Sequence, residues 1–123
     1  MTIALWCVLI AGLMPYAATL TAKVGAPFDN RRPREWLAKQ TGFRARANSA
    51  QMNGFEAFPL FAAAVIVAQL TGAPQDRVDM LAVLFIVARL AHFGFYLADL
   101  STLRSVAWFI AMASAVAIFV AGA

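Results

Sequence analysis

The chain has 123 residues, of which 63% are hydrophobic and 13% charged, with a formal net charge of +4. A water-soluble domain carries about 25% charged residues, so this composition cannot clothe a soluble surface and points to lipid as the solvent. The single cysteine, Cys7, excludes an intrachain disulfide, and no group of residues has metal-ligand spacing.

A membrane-spanning helix needs about 20 mostly apolar residues. Residues 2–22 contain no charged side chain and predict the first span, with Pro15 as a kink candidate. Its first positive charge is Lys23, so it lacks the basic start of a cleaved leader and reads as a retained helix. Residues 23–45 form a polar loop punctuated by Gly25, Pro27, Asp29, Asn30, Pro33 and Gly42. Within it, Pro33-Arg34-Glu35-Trp36-Leu37 reads as a short interfacial helix with Trp36 at headgroup level. The second span runs over 46–70 and stops at Thr71-Gly72-Ala73-Pro74. The third covers 77–100, and a Ser101 or Thr102 cap opens the fourth, 103–122. The expected fold is all-α: an integral membrane four-helix bundle of up-down topology, forming a single transmembrane domain over 1–123.

Basic residues orient the bundle. Lys23, Arg31, Arg32, Arg34, Lys39, Arg44 and Arg46 lie in or beside the first loop, whereas the connection between the second and third spans has only Arg77. The loop 23–45 is therefore expected to be cytoplasmic, with both termini on the opposite side. The excess of positive charge is a topology signal and not a nucleic-acid footprint. Short loops and a basic cytoplasmic segment fit a bacterial inner membrane.

Ionisable groups inside a span are costly and face a cavity or a partner. Ser49, Asn53 and Glu56 are spaced four then three along the second helix and share a face. Arg89, His92, Tyr96 and Asp99 do the same on the third. At ~1.5 Å per residue, Glu56 and Arg89 each lie roughly 15 Å inside their helices, which predicts a Glu56–Arg89 ion pair near mid-bilayer. Asn53 and His92 would form the next layer, then Ser49 and Tyr96, with Arg104 entering from the turn. The predicted site is a polar funnel open to the cytoplasm and closed by that ion pair.

The run Arg46-Ala-Asn-Ser49-Ala-Gln-Met-Asn53-Gly-Phe-Glu56-Ala-Phe-Pro59-Leu-Phe61 resembles the second-helix signature of the MAPEG family, the membrane-associated proteins in eicosanoid and glutathione metabolism. Its core, Asn-x-x-Glu-x-x-Pro-x-Phe, is matched by Asn53, Glu56, Pro59 and Phe61. Ala88-Arg89-Leu90-Ala91-His92, then Tyr96 and Arg104-Ser105, is similar to the family's third-to-fourth-helix segment. The resemblance spans essentially the whole chain. It implies a homotrimer with glutathione as co-substrate in a cytoplasm-facing cleft between neighbours, acting on a hydrophobic small molecule that arrives through membrane lipid. It assigns Asn53, Glu56, Arg89 and Tyr96 to contacting or organising glutathione, and Arg104, with Ser105 beside it, to stabilising the thiolate. His92 shares their face and joins the binding set. An arginine that the family often carries four residues before the motif asparagine is replaced here by Ser49; Arg46, one turn earlier, is the substitute candidate. A tyrosine common one turn after Arg104 is replaced by Trp108. The leading expectation is a glutathione-dependent transferase or peroxidase. A non-catalytic lipid-binding or scaffolding bundle of the same fold stays open beside it, as does a small transporter using Glu56, Arg89 and His92.

Overall fold

A computed structural model describes residues 1–123. It contains five helices and no strand: α1 (Ile3–Lys23), α2 (Pro33–Ala38), α3 (Gly42–Leu70), α4 (Gln75–Leu97) and α5 (Ser101–Val120). All but α2 are long and apolar enough to cross a membrane. α3 has 29 residues, about 44 Å at the helical rise, against a hydrocarbon core of ~30 Å. Its first turns, carrying Arg44 and Arg46, therefore reach past the apolar layer at the end of the bundle that holds the basic loop. Most span boundaries shift by one or two residues from the sequence reading, the third opening at Gln75 and the fourth at Ser101, and two shift further. The second span begins at Gly42 rather than Arg46, and the third ends at Leu97 rather than Leu100.

The early end of α4 has a local cause. Asp99 adopts the left-handed conformation at φ 60°, Leu100 N–H donates to the Phe95 carbonyl at 2.9 Å, and Asp99 N–H donates to Tyr96 at 3.2 Å. This is the hydrogen-bond pattern of a Schellman stop, a position that ordinarily selects glycine. The stop after α3 uses a glycine, Gly72 at φ 69°, with Ala73 N–H donating to Ala68.

Packing follows the logic of lipid as solvent. With no hydrophobic drive between helices, small residues at the interface let backbones approach and gain dispersion contacts. The buried stripe of α1 is Ala4, Cys7, Ala11, Pro15, Ala18 and Ala22, and that of α5 is Ala107, Ala111, Ser114, Ala115 and Ile118. Large apolar side chains such as Leu9, Leu13, Leu84, Val87 and Phe109 point outward. Each flanking helix, α1 and α5, packs against both α3 and α4. At the centre, the rings of Phe61 and Phe85 stack in parallel, 3.9 Å apart and 2° from coplanar.

Polar side chains close the helix ends. At the terminal end, the Asp79 carboxylate of α4 accepts the Ala4 N–H of α1 at 2.8 Å and the Gln75 amide at 2.7 Å, while Gln75 accepts from Gln69 of α3 at 2.9 Å. An anion at a helix N-terminus satisfies an orphan donor and complements the dipole. At the loop end, the Arg44 Nη1 donates to the carbonyls of Ala22 and Val24. The Arg46 Nε and Nη2 donate to the Leu97 carbonyl at 3.1 and 3.0 Å. Two arginines of the topology cluster thus serve as C-terminal caps for α1 and α4. Trp36 is half-buried: its Nε1 donates to the Pro27 carbonyl at 3.1 Å, and its ring meets Phe28 edge-on.

Candidate functional site

α3, α4 and α5 enclose a polar cleft of about 250 Å³ lined by Asn53, His92, Tyr96, Arg104, Ser105, Trp108 and Phe109. Tyr96 lies in the last turn of α4, and Arg104 and Ser105 in the first turns of α5, so the cleft belongs to the loop end. Ser105 and Phe109 are exposed and mark its open side. His92, 2% exposed, forms the deep wall.

The polar groups are linked through ring faces. The His92 and Tyr96 rings meet edge-to-face at 5.5 Å, one turn apart on α4. The Arg104 guanidinium lies over the Tyr96 ring, 4.5 Å from its centroid, an attraction strongest where water is excluded. No carboxylate lies within ion-pairing distance of Arg104. Asn53 Oδ1 is buried and has no hydrogen-bond partner, although a buried acceptor left unpaired costs ~1–3 kcal/mol. A stacked guanidinium without a counter-ion and an acceptor without a donor together fit a ligand bearing both a negative charge and an N–H group.

Five of the nine residues singled out from the sequence meet in this cleft: Asn53, His92, Tyr96, Arg104 and Ser105. Four do not line it. Arg46 is engaged with the Leu97 carbonyl. Ser49 is half-buried on the same α3 face, nearer the loop, and Glu56 is exposed on the outer side of α3. Arg89 is 6% exposed, inside the subunit.

The expected Glu56–Arg89 ion pair is absent. The one ion pair in the chain is Arg32–Glu35, at 3.6 Å and exposed. Helical spacing places residues on one face of a helix, but the direction of that face is set by packing. Glu56 falls outside the buried stripe of α3 formed by Ala50, Ala57, Phe61 and Ala64, whereas Arg89 lies within that of α4 with Phe85, Ile86 and His92. The funnel is therefore closed by His92 and the packed helices, not by a charge pair, and the cleft forms without it. Asp99 likewise leaves the α4 face it was expected to share, because the helix has already ended.

Trp108 and Phe109 were not among the site residues read from the sequence. Their signal was available: they follow Arg104 and Ser105 by four residues and so stand one turn above them. Asp79 carried no such signal, since its partner lies 75 residues away in sequence.

Four spans, a small-residue core and a polar cleft entered from one end define a polytopic helical membrane protein. The model of the MAPEG family matches residues 3–123, and the chain belongs to that family. No curated protein and no solved structure matches it. The family is a membrane four-helix bundle, generally associated with glutathione and typically trimeric.

Proposed function

We propose that this protein is a membrane-bound, glutathione-dependent transferase or peroxidase acting on hydrophobic electrophiles. The observation that carries this reading is the convergence of Arg104, stacked on Tyr96, with Ser105 and the unpartnered Asn53 Oδ1 in one cleft. Arg104 sits in the first turn of α5, where no acidic residue balances it. A cation there opposes the helix dipole, and a bound anion between the two relieves the conflict.

Glutathione supplies the nucleophile: its sulfur bonds to an electrophilic carbon as the leaving group departs with its electron pair, or two glutathiones reduce a hydroperoxide to alcohol and water and become the disulfide. Arg104 would hold the sulfur as thiolate, because a nearby guanidinium favours the charged form. Ser105 offers a hydroxyl beside it. Asn53 would accept an N–H of the peptide. His92 and Tyr96 would fix the depth and orientation of the ligand.

Glu56 supports a homotrimer. A carboxylate at the lipid-facing surface of a span costs at least ~2.5–3.5 kcal/mol, and Glu56 is exposed on a single subunit. A neighbouring copy would cover it and place it at the subunit boundary, where it can receive the glutathione amine. The cleft volume of about 250 Å³ falls just below the range of about 300–1,000 Å³ for small-molecule sites, as expected of a pocket completed by a neighbour. Ser49 and Arg46, on the loop side of Asn53, would lie along the entrance. The membrane is proposed to be a bacterial inner membrane, with loop 23–45 cytoplasmic and the termini opposite.

The test is conjugation of glutathione to a generic aryl halide by the purified protein. Wild type should turn over, and Arg104→Ala should lose about 10²–10³-fold while remaining trimeric. Unchanged turnover in that variant contradicts the role given to Arg104. The non-catalytic lipid-binding reading is favoured by Ser49, which brings no guanidinium to the entrance, and it predicts no turnover in either protein.

A further inference from the structure

Behind His92, on the side away from the polar cleft, lies a second cavity of about 140 Å³ between α1, α3 and α4. Its walls are apolar, with Pro15 and Ala18 from α1, Gly54 and Phe58 from α3, and Phe85 and Phe93 from α4. Ala17 and Leu90, both exposed, stand at its edge on α1 and α4, so it opens sideways toward lipid. The exception to the apolar lining besides His92 is Arg89. This arginine is only 6% exposed, its Nη1 has no hydrogen-bond partner, and no carboxylate lies within ion-pairing distance. It does not line the polar cleft.

An unpaired guanidinium in an apolar wall is an expensive arrangement, and an anion delivered to it recovers much of that cost. The volume limits what can deliver it. A dry apolar cavity of about 150 Å³ accommodates a single benzene ring, so a long acyl chain does not fit inside. Three phenylalanine rings, Phe58, Phe85 and Phe93, offer edge and face contacts to such a ring.

We propose that this cavity is a lateral binding site for a small aromatic carboxylate, which enters from the bilayer between α1 and α4 with its ring among the three phenylalanines and its carboxylate on Arg89. The site is separate from the glutathione cleft and does not depend on the catalytic reading. The guanidinium supplies the countercharge for the carboxylate in an otherwise apolar wall.

Met14 lines the cavity, whereas Met80 is exposed on the outside of α4, so their methyl groups report separately on the site and on general partitioning. The experiment titrates benzoate, and benzyl alcohol as the uncharged counterpart, into methyl-labelled protein in phosphatidylcholine nanodiscs, followed by NMR. The Met14 signal should shift saturably with benzoate, at least about tenfold more tightly than with benzyl alcohol, with Met80 unaffected. Arg89→Met should erase the preference for the anion. Ala18→Leu, which keeps Arg89 but fills the cavity, should abolish the Met14 response to both compounds. Arg104→Ala should leave the benzoate response unchanged, and glutathione should not displace it. An unresponsive Met14, equal affinity for the two compounds, or loss of the response in Arg104→Ala or on adding glutathione would overturn the proposal.

Discussion

The Arg104 guanidinium lies 4.5 Å from the centre of the Tyr96 ring, across the turn that joins α4 to α5. Two helices thereby agree on the position of one cation. The stack also leaves the guanidinium edge, with its fork of donors, free for an anion. Tyr96→Phe keeps the ring and should hold glutathione affinity within a few-fold of wild type. Tyr96→Leu removes the stack and should weaken binding by about 0.5–2 kcal/mol, as calorimetric titration would record. Equal loss in both variants would place the contribution in the hydroxyl instead.

The turn itself is testable. Asp99 holds φ 60° without being glycine, a conformation that costs a non-glycine residue about 1 kcal/mol or more. Asp99→Gly should raise the thermal midpoint in detergent or leave it unchanged. Asp99→Val, branched at Cβ, should lower it and should also reduce turnover, because Arg104 is positioned by this turn.

Gly54 is required by the approach of α1. A Cβ built on it would stand 2.9 Å from Cγ of Pro15, a rigid ring that cannot swing aside. Gly54→Ala should therefore destabilise the bundle by about 1–3 kcal/mol. Gly94, in α4, has nothing within 4 Å of the same construction, and Gly94→Ala should be neutral or mildly stabilising. Thermal unfolding of the two variants side by side separates close packing from helix propensity.

Asp79 ties three helices together through Ala4, Gln75 and Gln69. Asp79→Ala leaves the α1 N-terminus and the Gln75 amide unpaired and should cost about 1–2 kcal/mol of stability. Asp79→Asn retains one acceptor oxygen and should cost less. Neither should alter glutathione affinity, since the cleft is at the other end of the bundle. A drop in affinity without a drop in thermal midpoint would assign Asp79 a role beyond capping.

These contrasts mark what a linear pattern can and cannot carry. Spans were legible because about 20 apolar residues between polar breaks admit few other structures in lipid. The cleft residues Asn53, His92 and Tyr96 were legible because a polar side chain within an apolar helix is costly unless it meets a cavity or a partner; Arg104, in the first turn of α5, was legible from the turn and the family resemblance. The Glu56–Arg89 pair failed because depth and periodicity leave the azimuth of each helix undetermined. That angle is set by small-residue contacts such as Gly54 on Pro15, whose meaning appears only once the partner helix is in place. Arg44 reads as a topology charge, and Arg46 as a topology charge and a candidate for the binding site; neither reads as a cap, since the carbonyls they cap lie on other helices. Asp99 falls inside the third span on sequence pattern because the stop there lacks the glycine that marks the end of α3.

Glutathione binding in the cleft around Arg104 is read out by ligand-dependent thermal stability. A ligand that binds only the folded state at about 100 times its dissociation constant stabilises by ~2.7 kcal/mol. Wild-type protein should show a saturable rise in unfolding temperature with millimolar glutathione, and Arg104→Ala should show little or none at the same concentrations. A flat response in wild type, or an equal rise in Arg104→Ala, would refute glutathione binding at Arg104.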